Sequence, residues 1–334
     1  MLSRQQLESL FMSDGSSIRS INFGMRKEIS ESKPIQNREV ATRKSLEQDV
    51  LQNIAGLEGS PSFDVIKSLV KTLSDTRVLP HLSGLGLEMG SGLGLLSAAV
   101  IENDDKGSII GILAVEAGIP FVETGIRLAA ETTLGNLAYK IIPCYGSFDE
   151  VDVESSSIDF IIQIEALHHA DNLMSPIAEA YRILKINGLF ISIDRSWPNN
   201  VTSEVLEELL DHQYSKEWLD VKGFPSEVPF SRRDNGEHEY RDSDWESSFR
   251  NVGFDCIQVR HLHPEFKFWH LKKRIVGIFR LNKIAQIKIP SRPGIFRGLL
   301  LEMLHLKFLK IRAVIKTDHP RPLTVSVWRK IGNV

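Results

Sequence analysis

Apolar residues gather in short, nearly unbroken runs along this chain: Ile109-Ile110-Gly111-Ile112-Leu113-Ala114-Val115, Ile141-Ile142-Pro143-Cys144-Tyr145, Ile158 to Ile164 and Leu189-Phe190-Ile191-Ser192-Ile193. Runs of this length, bounded by polar or Gly-rich turns, read as buried strands. Helical spacing fills the gaps between them. Leu95-Leu96-Ser97-Ala98-Ala99-Val100 suits a helix, Pro120 begins another, and Ser175-Pro176 starts a third that carries Ile177, Ala180, Tyr181 and Leu184 on one face and closes at Lys185 and Gly188. Ahead of the strands, Ser45 to Leu57 and then Phe63 to Val70 read as helices, separated by the breaker Gly59-Ser60-Pro61. Cys256 to His261 and the alternating Leu323-Thr324-Val325-Ser326-Val327-Trp328 read as further strands.

Between the first strand and its helix lies Gly86-Leu87-Glu88-Met89-Gly90-Ser91-Gly92-Leu93-Gly94. Alternate glycines let the backbone take positive φ and let a ligand approach the main chain. A dinucleotide fingerprint requires a third Gly at position 95, where Leu95 stands. The match is instead to E-x-G-x-G-x-G, which resembles the first motif of the class I S-adenosylmethionine (SAM)-dependent methyltransferases. Downstream segments resemble that family in order. Glu116 ends the second strand, 22 positions after Gly94, where the family's acidic residue takes the ribose hydroxyls; capping of the helix at Pro120 is its alternative role. Gly146-Ser147-Phe148-Asp149-Glu150-Val151 is similar to the family's G-D-A-x-x-L, with Ser147 at the acidic position that meets adenine and Asp149 as a substitute. Glu165-Ala166-Leu167-His168-His169 resembles the turn after the fourth strand of the small-molecule branch.

The resemblance implies a Rossmann-like α/β fold with a doubly wound sheet of seven strands, the last antiparallel, plus N-terminal helices and a C-terminal insertion. It divides the chain into a helical cap (1–80), a SAM-binding core (81–264) with a lid or acceptor insertion (195–241), a basic insertion (265–321) and a final core strand (322–334). Cofactor binding falls to Glu88, Gly90, Ser91, Gly92, Gly94, Glu116, Ser147, Phe148 and Glu165, with SAM as the cofactor.

Charge alters this picture in one place. The whole chain carries net −3, yet residues 265–321 hold 14 Lys and Arg against three acids, a net of +11 that leaves −14 elsewhere. Aromatics such as Phe266, Trp269 and Phe308 are interspersed there. An anionic membrane, or a lipid-linked or nucleotide-linked acceptor, is the partner this composition suits. A nucleic acid is disfavoured by the overall charge, and homo-oligomerisation is compatible with the sequence. Two cysteines, no metal-ligand spacing, no apolar leader and no long apolar span point to a cytoplasmic enzyme, with peripheral membrane contact through the basic insertion.

Methyl transfer from a sulfonium needs alignment above all, and a hydroxyl acceptor also benefits from a general base. His168, His169 and His238 are the candidates; each also suits a purely structural hydrogen bond. A small-molecule O-methyltransferase is the leading expectation. An RNA methyltransferase docking through 265–321 and a non-catalytic SAM-binding scaffold are the alternatives.

Overall fold

The computed structural model describes residues 1–12, 20–25, 62–216, 219–220, 224, 226–262 and 323–332. The helix read at Ser45–Leu57 and the basic insertion 265–321 lie outside them. Eight strands form one sheet: β1 (Ile21–Gly24), β2 (Gly84–Met89), β3 (Ile109–Glu116), β4 (Ile141–Gly146), β5 (Ile158–Ile164), β6 (Leu184–Arg195), β7 (Phe254–Leu262) and β8 (Leu323–Lys330). Their order is β1-β4-β3-β2-β5-β6-β8-β7. The first six in that order pair in parallel, while β8 runs antiparallel to both β6 and β7. The chain winds outward from β2 to β3 and β4, then returns to β5 on its other side. That reversal opens a crevice at the C-terminal ends of β2 and β5, where doubly wound sheets bind ligands.

Helices cover both faces, which is why the strands are apolar throughout. On one face lie α1 (Arg4–Phe11), α5 (Met174–Ile183) and α7 (Asp242–Val252), packed with Leu85, Leu87 and Met89 of β2. The other face carries α2 (Phe63–Asp75), α3 (Leu95–Glu102) and α4 (Ile126–Leu134), whose apolar residues join Ile112, Ala114 and Ile162. Gly111 makes room for α1: a Cβ there would stand 2.2 Å from the Phe11 ring. One further helix, α6 (Ser203–Leu210), packs Leu206 and Leu209 with Trp197 and Val201 in a small separate core.

Two local expectations are corrected. The sheet has eight strands where seven were expected, because Ile21–Gly24 adds a short edge strand, pairing Ile21 with Cys144. The third helix ends at Ile183, not at Lys185 and Gly188. The chain enters β6 at Leu184, and a register shift with Asn187 at φ 66° absorbs the polar residues before Leu189 pairs with Phe160. Lys185 instead reaches Asp159, which also accepts from Arg4 at 2.6 Å and from the Leu85 amide at 2.7 Å. Burial alone would raise the Asp159 carboxyl, but these donors hold it below its ordinary value.

Candidate functional site

The turn after β2 is built from three left-handed glycines, Gly90 (φ 63°), Gly92 (φ 53°) and Gly94 (φ 69°). They serve different ends. A Cβ at Gly90 would lie 2.6 Å from the Ala166 Cβ, so this glycine lets β5's following turn close in. A Cβ at Gly92 would meet nothing within 4 Å, so this glycine faces open space. Glu88 leaves the sheet on the α3 side and is 1% exposed. Its Oε2 accepts from the Ser97 amide at 3.1 Å and from the Ser97 hydroxyl, while its Oε1 has no partner. Ser91 Oγ is likewise buried without a partner. Burial pushes the Glu88 carboxyl up to about 8, against the Ser97 donors.

Glu116, at the end of β3, ties the turn to its own strand. Its Oε2 accepts from the Gly92 amide at 2.8 Å and its Oε1 from the Gly118 amide at 2.9 Å. The second bond is local; the first reaches the glycine turn itself. Beyond β4, the Ser147 hydroxyl donates to Asp149 at 3.0 Å and accepts from the Asp149 amide at 3.1 Å, so both adenine-side candidates form one unit. The Phe148 ring lies 3.7 Å from the Cβ position of Gly90. Glu88, Gly90, Ser91, Gly92, Gly94, Glu116, Ser147 and Phe148 therefore converge on the crevice edge.

Glu165 follows β5 with φ 47°, a conformation non-glycine residues seldom adopt and one that recurs at functional sites. Its charge acts on Arg195, Arg232 and Glu237. The three histidines share one patch. His168 is 3% exposed, with Nδ1 2.8 Å from Asp194 Oδ1 at the end of β6. Its ring lies 4.3 Å from that of His169, whose Nδ1 faces the Gly236 carbonyl at 3.1 Å. The His238 amide donates to the His168 carbonyl at 2.7 Å, and its ring pairs with the exposed Asp171 at 3.0 Å. Burial pushes Asp194 up to about 6, opposed by Arg195 and by the Arg195 and His168 amides. A cavity of about 480 Å³ opens on the His238 side, lined by Asp171, Glu207, Tyr240, Arg241 and Asp244 among others.

Sequence reasoning missed the partners of these residues. Asp194 reads as the polar end of a strand, and nothing local links Arg195 to Arg232 and Glu237 across some 40 positions. The one signal was the density of charge in Arg232-Arg233-Asp234-Asn235-Gly236-Glu237-His238-Glu239. Among the described residues, no group of three or more His, Cys, Asp and Glu is placed to hold a metal ion, and no helix is long and apolar enough to cross a membrane.

Residues 87–192 match the family model described as a methyltransferase domain. No curated protein matches the chain. Among solved structures, phosphoethanolamine N-methyltransferase 2 of Haemonchus contortus, in complex with phosphomonomethylethanolamine and S-adenosylhomocysteine, is 14% identical. That match covers 89% of this chain and 60% of that one, with a TM-score of 0.51. A Galdieria sulphuraria protein provisionally named a sarcosine dimethylglycine methyltransferase is 18% identical, covering 81% of this chain and 87% of that one, with a TM-score of 0.48. At 14% identity the likeness to the Haemonchus contortus enzyme is one of fold.

Proposed function

The chain belongs to the class I SAM-dependent methyltransferases, and on that premise we propose that it methylates a hydroxyl of a small biosynthetic intermediate in the cytoplasm. It is an enzyme with SAM as its cofactor, so the scaffold reading falls away. The observation that carries the placement of the cofactor is the pair of partnerless buried atoms, Glu88 Oε1 and Ser91 Oγ, beside a left-handed turn with open space at Gly92. An ammonium suits the first and a carboxylate suits the second together with the N-terminus of α3. Glu116 is suited to the ribose hydroxyls, and the Ser147–Asp149 unit with Phe148 to adenine. When bound, SAM supplies a methyl group already activated on a sulfonium.

The protein's remaining task is to orient the acceptor and take its proton. We assign the proton to His168, whose Nδ1 pairs with Asp194 at the end of β6, so that Asp194 stabilises the imidazolium that results. His169 and His238 flank this pair and are assigned positioning roles. The basic residues 265–321, by composition, suit an anionic membrane or a lipid-linked or nucleotide-linked acceptor. Sedimentation with anionic against neutral vesicles checks the membrane form; equal, negligible binding to both removes it.

The decisive test uses Gly92→Ala. Its Cβ points into open space, so the fold bears only the cost of a left-handed alanine, about 1 kcal/mol. Calorimetry is expected to show S-adenosylhomocysteine bound by the wild type and at least about tenfold weaker in the variant, roughly the 1.4 kcal/mol that separates a snug ligand from a displaced one. Equal affinity in a folded variant would move the cofactor away from this turn.

A further inference from the structure

The segment between β6 and α7 buries more charge than methyl-donor binding or the His168–Asp194 pair uses. Arg232 is fully buried and Arg195 is 8% exposed. Glu237 accepts from Arg195 at 2.7 Å and from Arg232 at 2.9 and 2.8 Å. Glu239 pairs with Arg232 and accepts from the Trp197 indole. With Glu165, whose charge acts on both arginines, three carboxylates face two guanidiniums. Taking each ion out of water costs several kcal/mol, and an apolar lining of the same volume is often as stable. The cluster therefore asks for a reason beyond folding. Arg195 Nε adds one: it is buried and has no partner.

An aromatic wall joins this cluster directly. The Tyr214 hydroxyl donates to Glu237 Oε1, which also accepts from Asn235 at 3.0 Å. The Tyr214 ring lies over Phe230 at 6.3 Å and 30°, and Phe230 over Phe224 at 4.9 Å and 26°. All three rings are half-buried. Glu165 joins the charged cluster to the glycine turn, because the next residue, Ala166, is the one that Gly90 admits.

We propose that the acceptor is a carbohydrate, its C–H face seated on the Tyr214–Phe230–Phe224 wall and its hydroxyls held by Glu165 and by Arg195, whose Nε is unpartnered. This rests on the reading of the chain as a hydroxyl methyltransferase. An isoprenoid offers nothing to the carboxylates and guanidiniums. A planar phenol stacks on the rings but brings few hydroxyls to the charged rim, and a site built to hydrogen-bond hydroxyls strongly rejects ligands without them. A sugar ring presents both surfaces at once, an apolar face and a rim of hydroxyls.

The test is saturation-transfer NMR on the full chain with S-adenosylhomocysteine present. One arm uses methyl hexosides and methyl 6-deoxyhexosides, a second UDP-hexoses, and a third catechol and geraniol. Saturation is expected at the ring C–H protons of a sugar from the first or second arm; which arm responds tells a free from a nucleotide-linked acceptor. In Phe230→Leu the sugar signal is expected to fall by roughly tenfold, the scale of one lost aromatic contact, while S-adenosylhomocysteine affinity stays within about twofold. Tyr214→Phe, which keeps the ring and loses the bond to Glu237, guards against a folding artefact and is expected to weaken the signal as well. If the cofactor product binds but no sugar is saturated, or if both variants keep the full sugar signal, the proposal is overturned. Absence of cofactor binding in the wild type would instead overturn the methyltransferase site on which it rests.

Discussion

At the scale of the residue, Glu88 sets a proton linkage. Burial pushes its carboxyl up to about 8, so the folded protein keeps a proton that the unfolded chain has already released. Folding therefore loses stability as pH rises from the usual carboxylate range through about 8, and gains none from Glu88 below it. An ammonium at Oε1, as in the proposed cofactor placement, would favour the ionised form, so that ligand binding would expel the proton. Affinity for S-adenosylhomocysteine is expected to rise between about pH 6 and about pH 8 by at most roughly tenfold per unit. Calorimetry in buffers of different ionisation enthalpy should register the released proton, and Glu88→Gln should abolish it. Affinity that is flat with pH and free of proton release would remove Glu88 from the cofactor site. With His168 as the proposed base, Asp194 makes a second linkage, this time in turnover. As pH falls through about 6 it takes up a proton and no longer supports a charged imidazole. Turnover should therefore fall on the acid side and level off above. His168→Ala should lower kcat by about 10²–10⁴, the usual worth of a general base, and His169→Ala and His238→Ala by less than about tenfold. A pH–rate profile of the three variants decides between them; a His168 variant of normal kcat would return that residue to a structural role.

At the scale of the element, Asp159 joins three pieces distant in sequence: α1 through Arg4, β2 through the Leu85 amide and β6 through Lys185. Because these donors hold its pKa low, its contribution is present above the usual carboxylate range and is lost as pH falls through the lowered value. Asp159→Ala should cost about 2–4 kcal/mol in urea unfolding near neutral pH, with the gap to wild type narrowing in acid. A gap that does not change with pH would place the effect in packing. The same elements show what the sequence could tell. Strands buried on both faces announce themselves as apolar runs, and the glycine turn is local, so β2 to β6 and the turn after β2 could be read directly. Ile21–Gly24 was not legible, because four residues with alternating exposure carry too little periodicity. Nor was the end of the third helix, since a bulged strand start and a helix end are both marked by Lys, Asn and Gly. The charged cluster was hidden for another reason: Glu165, Arg195, Arg232 and Glu237 meet only once the sheet and the loop after β6 are folded.

At the scale of the whole molecule, the sheet closes by inserting β8 between β6 and β7. Leu262 pairs in register with Leu323, so the two strands need no long connection. Replacing residues 263–322 with Asn-Gly, a pair suited to a two-residue hairpin turn, is expected to leave S-adenosylhomocysteine affinity within about twofold and the melting temperature within roughly 4 °C, the equivalent of about 1 kcal/mol. Failure to fold would show that the basic segment takes part in the core. The position of β8 also sets an order of events during synthesis. β7 leaves the ribosome some sixty residues before the strand that must separate it from β6, a delay of roughly 3–12 s at about 5–20 residues per second. Throughout that interval the nascent protein holds an apolar strand edge on β6 and an unplaced β7, each a template for the other in the wrong register. A chaperone that binds exposed strand edges would find its target in this half-built sheet, and slowing translation across the basic segment would lengthen the time in which it is needed.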